Sequence, residues 1–188
     1  MSYNVVVLAS GAGSLFQSLL LHQTNYRISA LITDTPKALA IEIAKVNKVS
    51  VEVCDVKAFT TRLQWNQALL KCIETYSPNL VVSAGFMKIL GESVIEAYSG
   101  RLINIHPSLL PAFPGAHAVR DALLSGATIT GTTVHYVDAG IDTGNIITQR
   151  EVEIVSGDSV QTLHERIKVV ERSLIVEVVE SFAKGAVQ

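Results

Sequence analysis

The sequence predicts an α/β fold with a mostly parallel central sheet, helices on both faces and antiparallel strands at the C-terminal end. Two observations carry this reading. Up to about residue 106, short β-branched runs alternate with longer helical patterns, as in a parallel sheet covered on both faces. Beyond residue 128 the alternation stops, and two strand-like segments follow each other across a short loop, as an antiparallel pair would.

The run "VVVLA" (5–9) is the first strand, apolar throughout and so suited to burial on both sides, and "SLFQSLLLHQ" (14–23) is the helix after it. "ISALIT" (28–33) is the second strand, followed by the helix "ALAIEIAKVN" (38–47). A weaker strand, "SVEVC" (50–54), precedes a long helix from about Thr60 to Tyr76. "LVVSA" (80–84) and "LINIH" (102–106) are the fourth and fifth strands. "TITGTTVHYV" (128–137) and "NIITQREVEI" (145–154) form the antiparallel pair, joined by "DAGIDTG" (138–144). An amphipathic helix over 159–182 closes the chain, and "AKGAVQ" (183–188) is expected to fray. Residues 1–188 read as a single domain, with no repeat or linker-like shift in composition.

Fifteen basic against seventeen acidic residues give a net charge of −2, which offers no electrostatic footprint for nucleic acid or an anionic membrane. No secretory signal is visible, and no run reaches the roughly 18 apolar residues of a bilayer span. Cys54 and Cys72 have neither a metal-ligand spacing nor a disulfide framework, which fits a cytoplasmic protein. The expected partners are small molecules, and a homodimer is compatible with the sequence without being indicated by it.

Three stretches carry chemistry. "SGAGS" (10–14) follows the first strand and opens a helix, so its amides and the helix N-terminus suit an anion. Phe16 stands where a dinucleotide fingerprint needs a third glycine, which favours a lone phosphate. Asp34, after the second strand, mimics a ribose-binding acid and keeps a dinucleotide-dependent oxidoreductase as the rival reading. In "NIHPSLLPAFPG" (104–115), Asn104 and His106 project to one side of a strand end, before a proline-stiffened loop. A histidine there can shuttle protons near neutral pH. "DAGIDTG" alone is a hairpin turn; opposite a histidine, Asp142 becomes the group that orients and charges the imidazole. "HERIK" (164–168) has Lys168 where a zincin needs histidine, and no metal is expected. His22, His117, His135 and His164 read as surface or structural residues.

These stretches, with "AGFMKIL" (84–90), resemble in order and spacing the folate-dependent glycinamide ribonucleotide formyltransferases. The resemblance covers nearly the whole chain. It implies a Rossmann-like formyltransferase fold, 10-formyltetrahydrofolate as co-substrate, and formyl transfer to the primary amine of glycinamide ribonucleotide in purine synthesis. By the same resemblance Asn104, His106 and Asp142 are the catalytic set. The ribonucleotide falls on Gly13, Ser14 and Leu15, and on Lys168, Val169, Val170 and Glu171 of "KVVE". Folate falls on Arg62, on Met87, Lys88, Ile89 and Leu90, on Asn104, and on Asp138, Ala139, Gly140, Ile141 and Asp142. The family commonly has asparagine in place of Leu15 and arginine in place of Lys88, so backbone contacts are expected at both. The resemblance also implies a cis Leu110–Pro111 bond. Related methionyl-tRNA formyltransferases and formyltetrahydrofolate hydrolases usually carry an additional domain and fit less well; the hydrolase remains an alternative.

Overall fold

The computed structural model describes residues 3–186. Among them, seven strands form one sheet: β1 (Tyr3–Leu8), β2 (Tyr26–Thr33), β3 (Ser50–Val53), β4 (Leu80–Ser83), β5 (Leu102–His106), β6 (Ile129–Tyr136) and β7 (Ile146–Glu153). Their order is β3-β2-β1-β4-β5-β6-β7, with the first five parallel and β6 and β7 antiparallel. The helices are α1 (Ser14–Leu21), α2 (Ala40–Val46), α3 (Arg62–Glu74), α4 (Glu92–Ala97), α5 (Ala118–Leu124) and α6 (Val160–Ala183).

Alternation along β1 explains the layers. Val5 and Val7 face a core with Phe16 and Leu19 of α1, Ile41 of α2 and Leu174 and Val178 of α6. Val6 and Leu8 face the other side, toward Trp65, Leu69 and Ile73 of α3 and Val94 of α4. Trp65 is fully buried, and its indole N–H donates to the Cys54 carbonyl at 2.7 Å, so its burial leaves no orphan donor. Strand order reverses between β1 and β4, and a crevice opens there at the carboxyl ends of the strands.

Two helices, α4 and α5, are absent from the sequence prediction, because six or seven residues are too few for helical periodicity to show. The helix expected from Thr60 begins at Arg62, since Thr61 and Gln64 form a capping box; a 3-10 turn at Val56–Ala58 precedes it. The expected fraying of "AKGAVQ" does not hold through Ala186. The Ala186 and Gly185 amides donate to Ser181 and Phe182, and Gly185 has φ 71, which together make a Schellman cap. Met1, Ser2, Val187 and Gln188 of the expected 1–188 domain lie outside the described residues. Leu110–Pro111 is cis, as the resemblance implied.

Gly13, which precedes α1, has φ 75, and a Cβ there would lie 2.7 Å from Cβ of Ala40 at the start of α2. Gly11 has open space around its Cα. Gly13→Ala should therefore cost about 1–3 kcal/mol in urea denaturation, through strain and by wedging α1 from α2, while Gly11→Ala costs less than about 1 kcal/mol. Equal losses would contradict this packing.

Candidate active site

The end of β5 delivers Asn104 and His106 to one face, both lining a cleft of about 510 Å³. His106 is buried; Nε2 lies 2.9 Å from the Phe113 carbonyl and Nδ1 3.3 Å from Asp142 Oδ2. A carbonyl only accepts, so Nε2 donates, and Nδ1 is matched to the carboxylate when it too carries a proton. Asp142 Oδ2 also accepts the Gly115 amide at 2.8 Å. Its Oδ1 lies 3.5 Å from both Asn104 Nδ2 and His135 Nε2.

The loop that brings Asp142 here is folded by its own residues. Asp138 Oδ1 accepts the Gly140 amide at 3.0 Å and the Thr143 hydroxyl at 2.7 Å. A Cβ at Gly144 would come within 1.7 Å of the Tyr136 carbonyl, so only glycine fits. Asp142 itself has φ 55, a left-handed conformation that aspartate tolerates better than most residues. Burial pushes the Asp142 carboxyl up, but the Gly115 amide that donates to it and the charge of His106 outweigh burial and hold it below its ordinary value.

At the other end of the cleft α1 presents its N-terminus. The first helical bond runs from the Gln17 amide to the Gly13 carbonyl, leaving the Ser14, Leu15 and Phe16 amides without helical acceptors. The Leu15 side chain lies in the core, so its amide is what it can offer a ligand. Opposite stand His164, Lys168 and Glu171, on one face of α6 by their i, i+4, i+7 spacing. Glu171 is only 5% exposed, and burial pushes its carboxyl up to about 7, against smaller opposing effects of Lys168, Thr132 and Arg172.

Comparison with known proteins agrees with this geometry. The model of the formyl transferase family matches residues 3–179. The chain belongs to the formyl transferase family. It is 46% identical over 186 residues to phosphoribosylglycinamide formyltransferase of Mycobacterium tuberculosis strain H37Rv, covering 97% of this chain and 86% of that protein. It is 38% identical to the Bacillus subtilis protein of the same name, covering 93% of this chain and 91% of that one. The crystal structure of glycinamide ribonucleotide transformylase 1 from Symbiobacterium toebii superposes with a TM-score of 0.95 at 36% identity, over 98% of this chain and 89% of that one.

In this formyl transferase the cleft gathers most of the residues expected from sequence, but not all. Met87, Lys88, Ile89, Leu90, Asp138, Gly140 and Ile141 line it, whereas Ala139 is exposed and turned away. Val169 and Val170 do not line it, because each helical step of about 100° carries them off the Lys168–Glu171 face. Val169 is 60% exposed, and Val170 packs beside Val119 and Val152. Arg62 lines a shallower neighbouring hollow with Asn66; its guanidinium donates to the Ile89 carbonyl and stands 4.2 Å over the Trp65 ring. It thus braces the 87–90 segment from behind.

Asp34 is not a free ribose-binding acid: it is buried, accepts the Ser10 hydroxyl and pairs with Lys88 Nζ at 3.0 Å. The same pair commits the Lys88 side chain, leaving its backbone for a ligand. The surface or structural reading of His135 and His164 also fails in part, since both face the cleft. His135 enters through antiparallel register opposite Asn104, which no local sequence pattern encodes. His22 fits the structural reading, with Nδ1 2.8 Å from the Ser18 carbonyl. Among the described residues no group of three or more His, Cys, Asp or Glu is placed to hold a metal ion, and no helix is long and apolar enough to cross a membrane.

The raised Glu171 carboxyl makes stability depend on pH. Between about pH 4.5 and 7 the folded chain keeps a proton that the unfolded chain releases, so this carboxyl destabilises the fold progressively as pH rises through that window. Glu171→Gln should match the parent at pH 4 and exceed it by about 3 kcal/mol at pH 8 in urea denaturation. A difference that does not change with pH would contradict the assignment.

Proposed function

We propose that the chain transfers the formyl group of 10-formyltetrahydrofolate to the primary amine of glycinamide ribonucleotide, a step of purine synthesis, with Asn104, His106 and Asp142 as its catalytic set. One observation carries the assignment of these residues: Asn104 and His106 both lie within 3.5 Å of the Asp142 carboxylate, in a cleft whose lining differs in chemistry from part to part. At one end the free amides of α1, facing Lys168, suit a phosphate dianion, and Glu171 suits the ribose hydroxyls. At the other, Met87, Ile89, Leu90, Val137 and Ile141 offer apolar walls and backbone groups to a flat heterocycle.

The amine nitrogen attacks the formyl carbon, and the carbonyl electron pair moves onto oxygen. Asn104 Nδ2 donates a hydrogen bond to that oxygen as charge develops. His106 donates from Nδ1 in exchange for its 3.3 Å contact with Asp142, which is long for a charged pair. Collapse of the adduct breaks the bond to folate N10, and the proton lost by the amine ends on that nitrogen, with His106 and water held by Asp142 as the relay. The Asn104 amide and the His106 ring share a face because both must reach one oxygen. The chemistry needs neither a metal nor a covalent enzyme intermediate.

The test is an absorbance assay of folate deformylation by the purified chain. Turnover should require both 10-formyltetrahydrofolate and glycinamide ribonucleotide. Folate consumed at full rate without the ribonucleotide would indicate a hydrolase, and turnover of NAD(P) an oxidoreductase. Asn104→Ala and His106→Ala should each lower kcat by about 10²–10³ while folding normally, and the double variant should lose less than the product of the two. A multiplicative double loss would show that they do not act on one oxygen.

A further inference from the structure

His135 makes two contacts that together fix its protonation pattern. Its Nδ1 lies 2.8 Å from the Tyr136 carbonyl, which only accepts, so Nδ1 carries a hydrogen. Its Nε2 lies 3.2 Å from Asn104 Nδ2, and a carboxamide nitrogen only donates. The neutral ring protonated at Nδ1 satisfies both contacts, with the Nε2 lone pair accepting from Asn104. A doubly protonated ring would set N–H against N–H. The other neighbour of Nε2, Asp142 Oδ1, is 3.5 Å away and beyond a normal hydrogen bond, so the nearer contact decides.

The consequence falls on Asn104. Turned over, its carboxamide would place an oxygen lone pair against the lone pair of Nε2, so the ring admits one orientation of the amide. That orientation points the nitrogen, with two hydrogens, toward His135 and Asp142. One hydrogen is held by His135; the other faces Asp142 Oδ1, which lies 3.5 Å from the nitrogen, so it is only weakly engaged and is left for a substrate oxygen. The two side chains face each other directly across the β5–β6 pair, and His135 is 2% exposed, so water does not substitute for the ring.

We propose that His135 is a positioning residue, whose Nδ1–H tautomer locks the Asn104 carboxamide with its nitrogen toward the developing oxyanion. The inference rests on the formyl-transfer reading above. His135→Leu keeps bulk and removes both nitrogens; it should lower kcat by up to the 10²–10³ expected of losing one oxyanion donor, with KM for each substrate changed less than about threefold. His135→Gln, which restores an acceptor for Asn104, should recover about tenfold of that loss. In an Asn104→Ala background His135→Leu should cost nothing further, because it acts through Asn104. A folded His135→Leu with parental kcat, or a loss that multiplies with Asn104→Ala, would overturn the proposal. If Asn104→Ala itself leaves kcat unchanged, the reading of the site fails instead. ¹⁵N NMR of the unsubstituted protein tests the tautomer without relying on any variant to fold: a hydrogen on Nδ1 and none on Nε2 is expected, and a protonated Nε2 would sink the proposal.

Discussion

The site depends on one carboxylate. Asp142 touches the His106 ring and the Gly115 amide through one oxygen, and through the other lies beside Asn104 and His135. Buried without those partners, a carboxyl would take up a proton rather than stay charged. Here the partners outweigh burial and hold it ionised. The same charge joins β5, the 113–115 loop and the β6–β7 loop, so the catalytic geometry and the closure of this corner of the fold are one arrangement.

Topology makes the arrangement reachable. A sixth parallel strand after α5 would have run the same way as β5 and ended beside its carboxyl end. Instead β6 runs back antiparallel, places His135 opposite Asn104, and turns at the loop that holds Asp142. On the other side, the reversal of strand order at β1 and β4 opens the crevice that receives α1's free amides. The reactive corner and the anion-binding corner are thus fixed by two independent features of one sheet. A substrate with an anionic end and a nucleophilic end can bridge them.

What sequence could show follows from how local each signal is. Every strand was legible, because β-branched runs between turn residues are written in adjacent positions. The Asn104–His106 pair was legible because two-residue spacing on a strand sets a shared face. Helices α4 and α5 fell below the length at which periodicity shows. His135 was hidden because its role comes from cross-strand register, and Val169 and Val170 were carried into the site by treating "KVVE" as a unit when a helix shows only one side. Asp34 misled for a similar reason: its position suits a ribose, but its partners, Ser10 and Lys88, lie far away in sequence.

The central claim is that the Asp142 charge organises a formyl-transfer site, and a single-turnover measurement of Asp142→Asn tests it most directly. The substitution keeps the shape of the side chain and removes its charge. With both substrates saturating, the account predicts a fall of at least about 10² in the rate of formyl transfer, within the range that one misplaced catalytic group costs. Thermal stability should fall as well, because the same charge closes this corner of the fold. The rate is therefore read well below the variant's melting temperature, where folate binding on the same sample should fall by less than the rate. A variant that binds folate and transfers formyl at close to the parental rate would show that Asp142 is only a turn residue, and the account would be wrong.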